Sequence, residues 1–243
     1  MYFIGIIIIG AVILMVLERF FPDVKLPKTD HWWKRVLIIN VLQASVVLTA
    51  GKTWDLWLQK ISIFSFKDSM GPVSAAFACY LVLTFVYYWW HRWRHEFNFL
   101  WLSCHQLHHS PQRIETITSF YKHPFEIFLN SILVSAIAYI LCGISVESAG
   151  YLTIITAYAE FFYHMNIKTP HFLGYFFQRP EMHRVHHQLN HHSQNYADLP
   201  IWDILFGTFS NPKIQKEACG FSENRENRLW EILKFQDVHK RKK

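Results

Sequence analysis

Long uncharged runs alternate with short polar segments through the first two thirds of the chain. No Asp, Glu, Lys or Arg occurs in residues 1–17, 36–51, 69–90 or 127–146, and the run 148–163 is broken only by Glu160. An α-helix rises about 1.5 Å per residue, so the third and fourth runs are long enough to cross a hydrocarbon core of about 30 Å. The shorter runs cross only if flanking side chains snorkel or the bilayer adapts. Five such runs in 243 residues argue against buried helices of a soluble protein. The expected fold is all-α: an integral-membrane bundle of about four to five hydrophobic helices with a helical cap.

Polar punctuation sets the expected organisation. Residues 1–90 read as membrane helices with their loops, 91–126 as a first histidine segment, 127–165 as a membrane hairpin and 166–243 as a cap with the last histidine cluster. The segment 51–71 carries Trp54, Trp57, Ile61, Ile63, Phe64 and Phe66 among few charges and reads as an interfacial helix or part of a re-entrant pair. The first run lacks a basic leader and a small-residue cleavage site, and Glu18-Arg19 follows it directly. It is expected to be an anchor helix rather than a signal peptide.

Charge changes the picture by its placement. The net charge is +6, which by itself would admit a nucleic-acid partner. If all five runs cross, however, one side of the membrane holds 21 of the 24 Lys and Arg residues. That asymmetry makes the basic side cytoplasmic by the positive-inside rule and puts the amino terminus on the far side. The terminal Lys240-Arg241-Lys242-Lys243 adds to it, and suits an acidic partner or a membrane surface, with no role for nucleic acid. The four cysteines show no CxxC pairing, so no disulfide framework is expected.

The chemistry lies in the histidines. "HRWRH" places His91 and His95, "HQLHH" places His105, His108 and His109, and "HRVHH" places His183, His186 and His187. Residues at i, i+3 and i+4 share one helical face, so each cluster is expected to aim its imidazoles at one point. Eight nitrogen donors exceed what one tetrahedral metal uses and suit two metals, each with an open position. HExxH is absent, and imidazole alone does not choose among iron, zinc, copper and nickel. The topology makes an independent point, since these clusters, His123 and His164 all fall at one membrane boundary.

The string "YYWWHRWRHEFNFLWLSCHQLHHS", then His123-Pro124, "YHMN" at 163–166, "HRVHH" and "NYADLPIWDILFGTF" at 195–209 together resemble the fatty acid hydroxylase/sterol desaturase superfamily. The resemblance covers residues 87–209, about half the chain. It implies a non-haem di-iron centre, with dioxygen as co-substrate and a lipid as substrate. By position it makes ligands of His91, His95, His105, His108, His109, His183, His186 and His187, with His164 a further ligand at the end of the last crossing. Departures occur at Thr84-Phe85-Val86, Tyr121 and Ala197, where members often carry an acid, an Arg and a Gly. They leave the subfamily open.

Two carboxylates are candidate catalytic residues. Glu160, the single acid inside an uncharged run, precedes His164 by one helical turn and is expected to hydrogen-bond a ligand imidazole or to bind metal. Asp203 is expected to accept from a ligand imidazole and fix its tautomer, or else to act as a cap or a surface ion pair. His191 and His192 read as polar lining, and His31, His171 and His239 carry no assignment. Opening an unactivated C–H bond needs a metal-bound oxidant, and the outcome is an alcohol or an alkene. The chain has no haem, ferredoxin-type or GxGxxG segment, so the electrons are expected from a ferredoxin or cytochrome with its reductase. Zinc in a purified sample is compatible with an iron site. The rival readings are a membrane metal transporter or metal-binding protein with histidine relay ligands, and a membrane zinc hydrolase.

Overall fold

The computed structural model describes residues 2–222 and 224–240. Met1 of the first run and residues 241–243 of the basic tail lie outside them. The described residues are helical, with a single isolated β-bridge between Gln188 and Cys219. Helices α1 (Tyr2–Phe20), α2 (Trp32–Ala50), α3 (Pro72–Glu96) and α5 (Pro124–Leu141) are long and apolar enough to cross a membrane. Between α3 and α5 lies α4 (98–109), a short composite helix with a π-helical turn at Trp101–His105. α6 (Val146–His164) follows, and α7 (Pro180–His186) and α8 (Pro200–Leu205) belong to the cap.

The five uncharged runs thus all become helix, but only four are candidate crossings. α6 is as long as α1, yet Glu147, Glu160 and its Ser, Thr and Tyr residues make it less apolar. Its position allows this, because α6 packs against α1, α3, α7 and the turn Thr116–Phe120. Neighbouring helices shield it from lipid. The outer helices behave oppositely. Only 11% of the apolar window of α1 and 17% of that of α2 is buried, and Ile8, Ile9, Val12, Ile13, Leu37 and Val41 lie exposed. Apolar surface that extensive needs a hydrocarbon solvent, and the chain is a multi-pass membrane protein.

Close approaches lock the bundle. A Cβ on Gly10 would come within 1.8 Å of Tyr158 Oη, whose hydroxyl donates to the Ile6 carbonyl at 3.1 Å; only glycine lets α1 lie this close to α6. The expected interfacial segment holds two helical turns, Trp54–Leu58 and Phe66–Ser69. Between them, Ile63 and Phe64 donate backbone N–H groups to Ile140 and Leu141 at 2.7 and 3.1 Å, capping carbonyls left free at the end of α5. Gly143 turns the chain there at φ 59°, with no room for a Cβ beside the Phe64 carbonyl.

The cap is tied to the loops on the histidine side. Glu18 Oε2 accepts from Thr116 N and Asn166 N at 2.9 and 3.0 Å. Arg184 pairs with Asp23, and Arg35 with Glu226. α3 carries His91 and His95 near its carboxyl end, α6 ends on His164, and α5 begins just after His123. One end of the bundle therefore collects the histidines.

Candidate metal centre

Nine imidazoles converge in two adjacent groups. One holds His91, His95, His105, His109 and His186, and the other holds His108, His164, His183 and His187; within each, the facing atoms lie within 4.8 Å of one another. All nine expected ligands are present, but the clusters do not each converge on one point. In "HQLHH", His105 and His109 face the first group and His108 the second. In "HRVHH", His183 and His187 face the second group and His186 the first. Helical geometry gives the reason: i and i+4 lie about 40° apart, whereas i+3 lies about 60° to the other side of i. Two helices contribute reciprocally, so the i,i+4 pair of each joins the i+3 residue of the other. The groups touch through His109 stacked on His187, ring centroids 4.1 Å apart.

Hydrogen bonds select the nitrogen each ring presents. His91 Nδ1 donates to the Tyr196 carbonyl at 2.7 Å and His186 Nδ1 to the Gln194 carbonyl at 2.7 Å. His164 Nδ1 donates to the Glu160 carbonyl at 2.8 Å. His105 Nδ1 lies 3.2 Å from Glu126 Oε1 and His109 Nδ1 3.2 Å from His192 Nδ1. His183 Nδ1 is 2.9 Å from the Gln178 side-chain amide. Donation from Nδ1 to a carbonyl leaves Nε2 of His91, His164 and His186 with its lone pair toward the group, whereas the Gln178 amide donates to His183 Nδ1. Burial holds His105, His108, His109, His183 and His187 well below the usual imidazole range, with neighbouring imidazoles and Arg94 adding to the effect. Burial likewise lowers His186 to about 3. The rings are neutral at physiological pH, as metal ligation requires.

The spacing fits a cation in each group. Nε2 atoms of His91 and His105 are 2.9 Å apart, of His105 and His109 3.1 Å, of His164 and His183 3.0 Å, of His183 and His187 3.0 Å and of His108 and His164 3.4 Å. Ligands bound at about 2.0–2.1 Å stand about 2.9 Å apart at right angles and about 3.4 Å apart at tetrahedral angles. Lone pairs this close repel unless a cation lies between them. His95 Nε2 and His186 Nε2 are buried with no hydrogen-bond partner, which such a cation would supply.

The two candidate carboxylates have their hydrogen-bond partners away from the rings. Glu160 turns its side chain to Lys122, whose Nζ donates to both carboxylate oxygens at 2.7 and 2.6 Å; its backbone carbonyl, not its carboxylate, orients His164. Asp203 accepts from Tyr196 N, Ala197 N and Thr208 Oγ1 at 2.8, 3.0 and 2.7 Å. It reaches the centre only through the loop whose Tyr196 carbonyl holds His91. Burial raises its carboxyl to about 6 against these three donors.

The carboxylate beside a ligand ring is Glu126, wholly buried between His105 and Arg94. Sequence reasoning passed over it, although it is the charge that closes the polar segment before the fourth uncharged run. The loop 190–196 was also passed over as a source of acceptors. Asn190, His192, Gln194 and Asn195 all take positive φ there, and the Asn195 side chain staples the loop to Met182 O and Ser210 O, both at 2.9 Å.

His192 lies against His109, Nδ1 to Nδ1 at 3.2 Å. His191 faces Gln194 and Ser193. His123 caps α5 by accepting from Phe125 N at 3.0 Å. His171 contacts Asn211 and His239 packs on Phe221, both outside the two groups, while His31 precedes α2 with φ 54°.

No solved structure matches the chain. Among curated proteins it is similar to the alkylglycerol monooxygenase of Homo sapiens, 33% identical over 67% of this chain and 36% of that protein. It is 33% identical to the ornithine lipid hydroxylase OlsE of Rhizobium tropici over 61% of this chain and 43% of that one. It is 25% identical to the sphingolipid C4-hydroxylase sur2 of Schizosaccharomyces pombe, over 58% and 50% respectively. The chain thus covers half or less of the length of these relatives. The family model "Fatty acid hydroxylase" matches residues 76–208, which include every histidine of the two groups. Those residues are more than half of the chain, and the protein belongs to the fatty acid hydroxylase family.

Proposed function

We propose that this protein is a di-iron, dioxygen-dependent oxygenase that hydroxylates or desaturates a membrane lipid on the cytoplasmic side. The observation that carries the reading is the pair of adjacent all-imidazole groups, five and four rings. A zinc hydrolase needs one metal with an open position, whereas nine imidazoles are gathered here in two adjacent groups. A transporter would spread its ligands along the crossings, whereas these are gathered at one end.

His91, His95, His105, His109 and His186 would hold one iron, and His108, His164, His183 and His187 the other. When bound, the iron pair supplies reductive activation of dioxygen, with one oxygen atom entering a C–H bond and the other leaving as water. That stoichiometry consumes two electrons and two protons from outside the chain, so a ferredoxin or a cytochrome with its reductase is the expected donor. The protein's own contribution is to hold nine neutral rings rigidly and to exclude bulk water. A cavity of about 110 Å³ borders His91, His105, His108, His164 and His183 and leaves room beside the rings for the reacting carbon.

Metal analysis of the purified protein should give two ions per chain, with oxygen uptake on reduction of the iron-loaded form. Lipid mass spectrometry of cells with and without the gene should show one species gaining oxygen or losing two hydrogens. A single metal per chain would overturn the reading. The cytoplasmic placement rests on the Lys and Arg asymmetry, and a reporter in the 106–120 loop is expected to be active only in the cytoplasm. Activity on the far side would reverse it.

A further inference from the structure

Two cavities meet at one ion pair. The first, beside the imidazoles, has Leu83 and Val134 as its aliphatic walls, with Tyr163, Tyr196 and Asp198 beside the rings. The second, about 240 Å³, lies between α2, α5 and α6 and is lined by Val47, Ile127, Ala138, Leu152 and Ala157, with Gln43, Asp55, Ser131 and Thr153 among its polar residues. Lys122, Glu160, Tyr87 and Asn130 line both. The Lys122 and Glu160 side chains are 12% and 22% exposed, and this residual surface faces the cavities.

A largely buried ion pair costs desolvation, and the hydrogen bonds of the Lys122 ammonium and the Glu160 carboxylate are to each other. The hydrogen-bonding capacity left over says what it is suited to. Lys122 spends two contacts on Glu160 and keeps a third proton, while each carboxylate oxygen has a further lone pair. Asn130 Oδ1 accepts from the Trp90 indole at 2.8 Å, so its amide N–H groups remain donors. A hydroxyl can accept from Lys122 or Asn130 and donate to Glu160, and an ether or ester oxygen can accept from the two donors. A methylene chain can do neither, and would strip solvent from the pair without replacing it.

Resting on the oxygenase reading, we infer that Lys122, Glu160 and Asn130 form a polar collar that selects lipids bearing a hydroxyl, ether or ester oxygen next to the reacting carbon. The alkyl tail lies in the larger apolar cavity and toward the bilayer. The oxygen function sits at the collar, and the carbon presented to the imidazoles is close to the head group. The middle or the methyl end of a plain hydrocarbon chain is rejected, because it would have to thread the charges and then fill a small polar cavity.

Binding to the metal-free protein tests this without turnover. In nanodiscs carrying equal mole fractions of 2-bromohexadecan-1-ol or 1-bromohexadecane, bromine should quench the fluorescence of Trp90, isolated by difference against Trp90→Phe. The alcohol is expected to reach half-quenching at about one tenth of the alkane's mole fraction, the preference that one charge-assisted hydrogen bond provides. In the double variant Lys122→Met/Glu160→Gln, which leaves no unpaired charge, that preference should vanish, while a separate metal-loaded sample of the same variant should hold metal at the parent level. Equal quenching by both probes in the parent, or a preference that persists in the double variant, overturns the collar. Loss of metal from the double variant would assign the pair to the metal centre and overturn it equally. Because the readout needs neither iron nor oxygen, failure of the oxygenase reading would appear separately, in the metal and oxygen-uptake measurements.

Discussion

Replacing His186 with Ala and replacing His187 with Ala are expected to empty different metal positions, although the residues are neighbours on one helix. His186 faces the five-ring group and His187 the four-ring group. Each variant should retain about one metal per chain, with density at one position and none at the other in a cryo-EM or anomalous-diffraction map. Loss of an outer hydrogen-bond partner costs about 10- to 100-fold in affinity or activity. Loss of a ligand should cost more, and oxygen uptake should fall below detection in both variants. The same position emptied in both, or both filled with turnover intact, would refute the division. The expectation follows from the reciprocal use of i,i+4 and i+3 positions by the two HxxHH segments and has no counterpart if each segment served its own metal.

The second large effect is expected at Glu126. Its carboxylate is enclosed between Arg94 and His105, with side-chain exposures of 0%, 5% and 1%. Glu126→Gln leaves the Arg94 guanidinium buried without its counter-ion, and breaking such a pair from one side costs about 3–5 kcal/mol. The variant should unfold at markedly lower denaturant concentration than the parent. Arg94→Met/Glu126→Leu removes both charges and should regain most of that stability. It also removes the acceptor that holds the His105 ring, and metal affinity should be about 10- to 100-fold down. The two measurements separate the roles. Parent-level metal binding in the double variant would make Glu126 a counter-ion and nothing more, while weak binding in a stable protein assigns it to orienting His105.

The sequence by itself determined that the five uncharged runs are helical, that the bundle belongs in a bilayer, and which nine histidines come together. Those features are local: an uncharged run is read along the chain, and HxxHH at helical spacing presents three rings whatever lies opposite. It also placed the histidines at one boundary, because His91, His123 and His164 each stand beside an uncharged run.

Tertiary structure decided the rest. The split of each HxxHH segment between two groups depends on where the other helix lies, since one face of a helix can serve two points as easily as one. The groups that hold the rings are remote in sequence. The Tyr196 carbonyl that fixes His91 is 105 residues away and Glu126 is 21 residues from His105, and a carbonyl has no side-chain identity to read. Glu160 shows the limit most directly. Its i,i+4 spacing to His164 correctly put it on the same face, but that spacing also lets the backbone carbonyl reach the ring, and Lys122, across the cavity from another segment, claimed the carboxylate. Periodicity fixes which face a residue occupies, while the partner is set by whichever charge or donor the packed helices bring within reach.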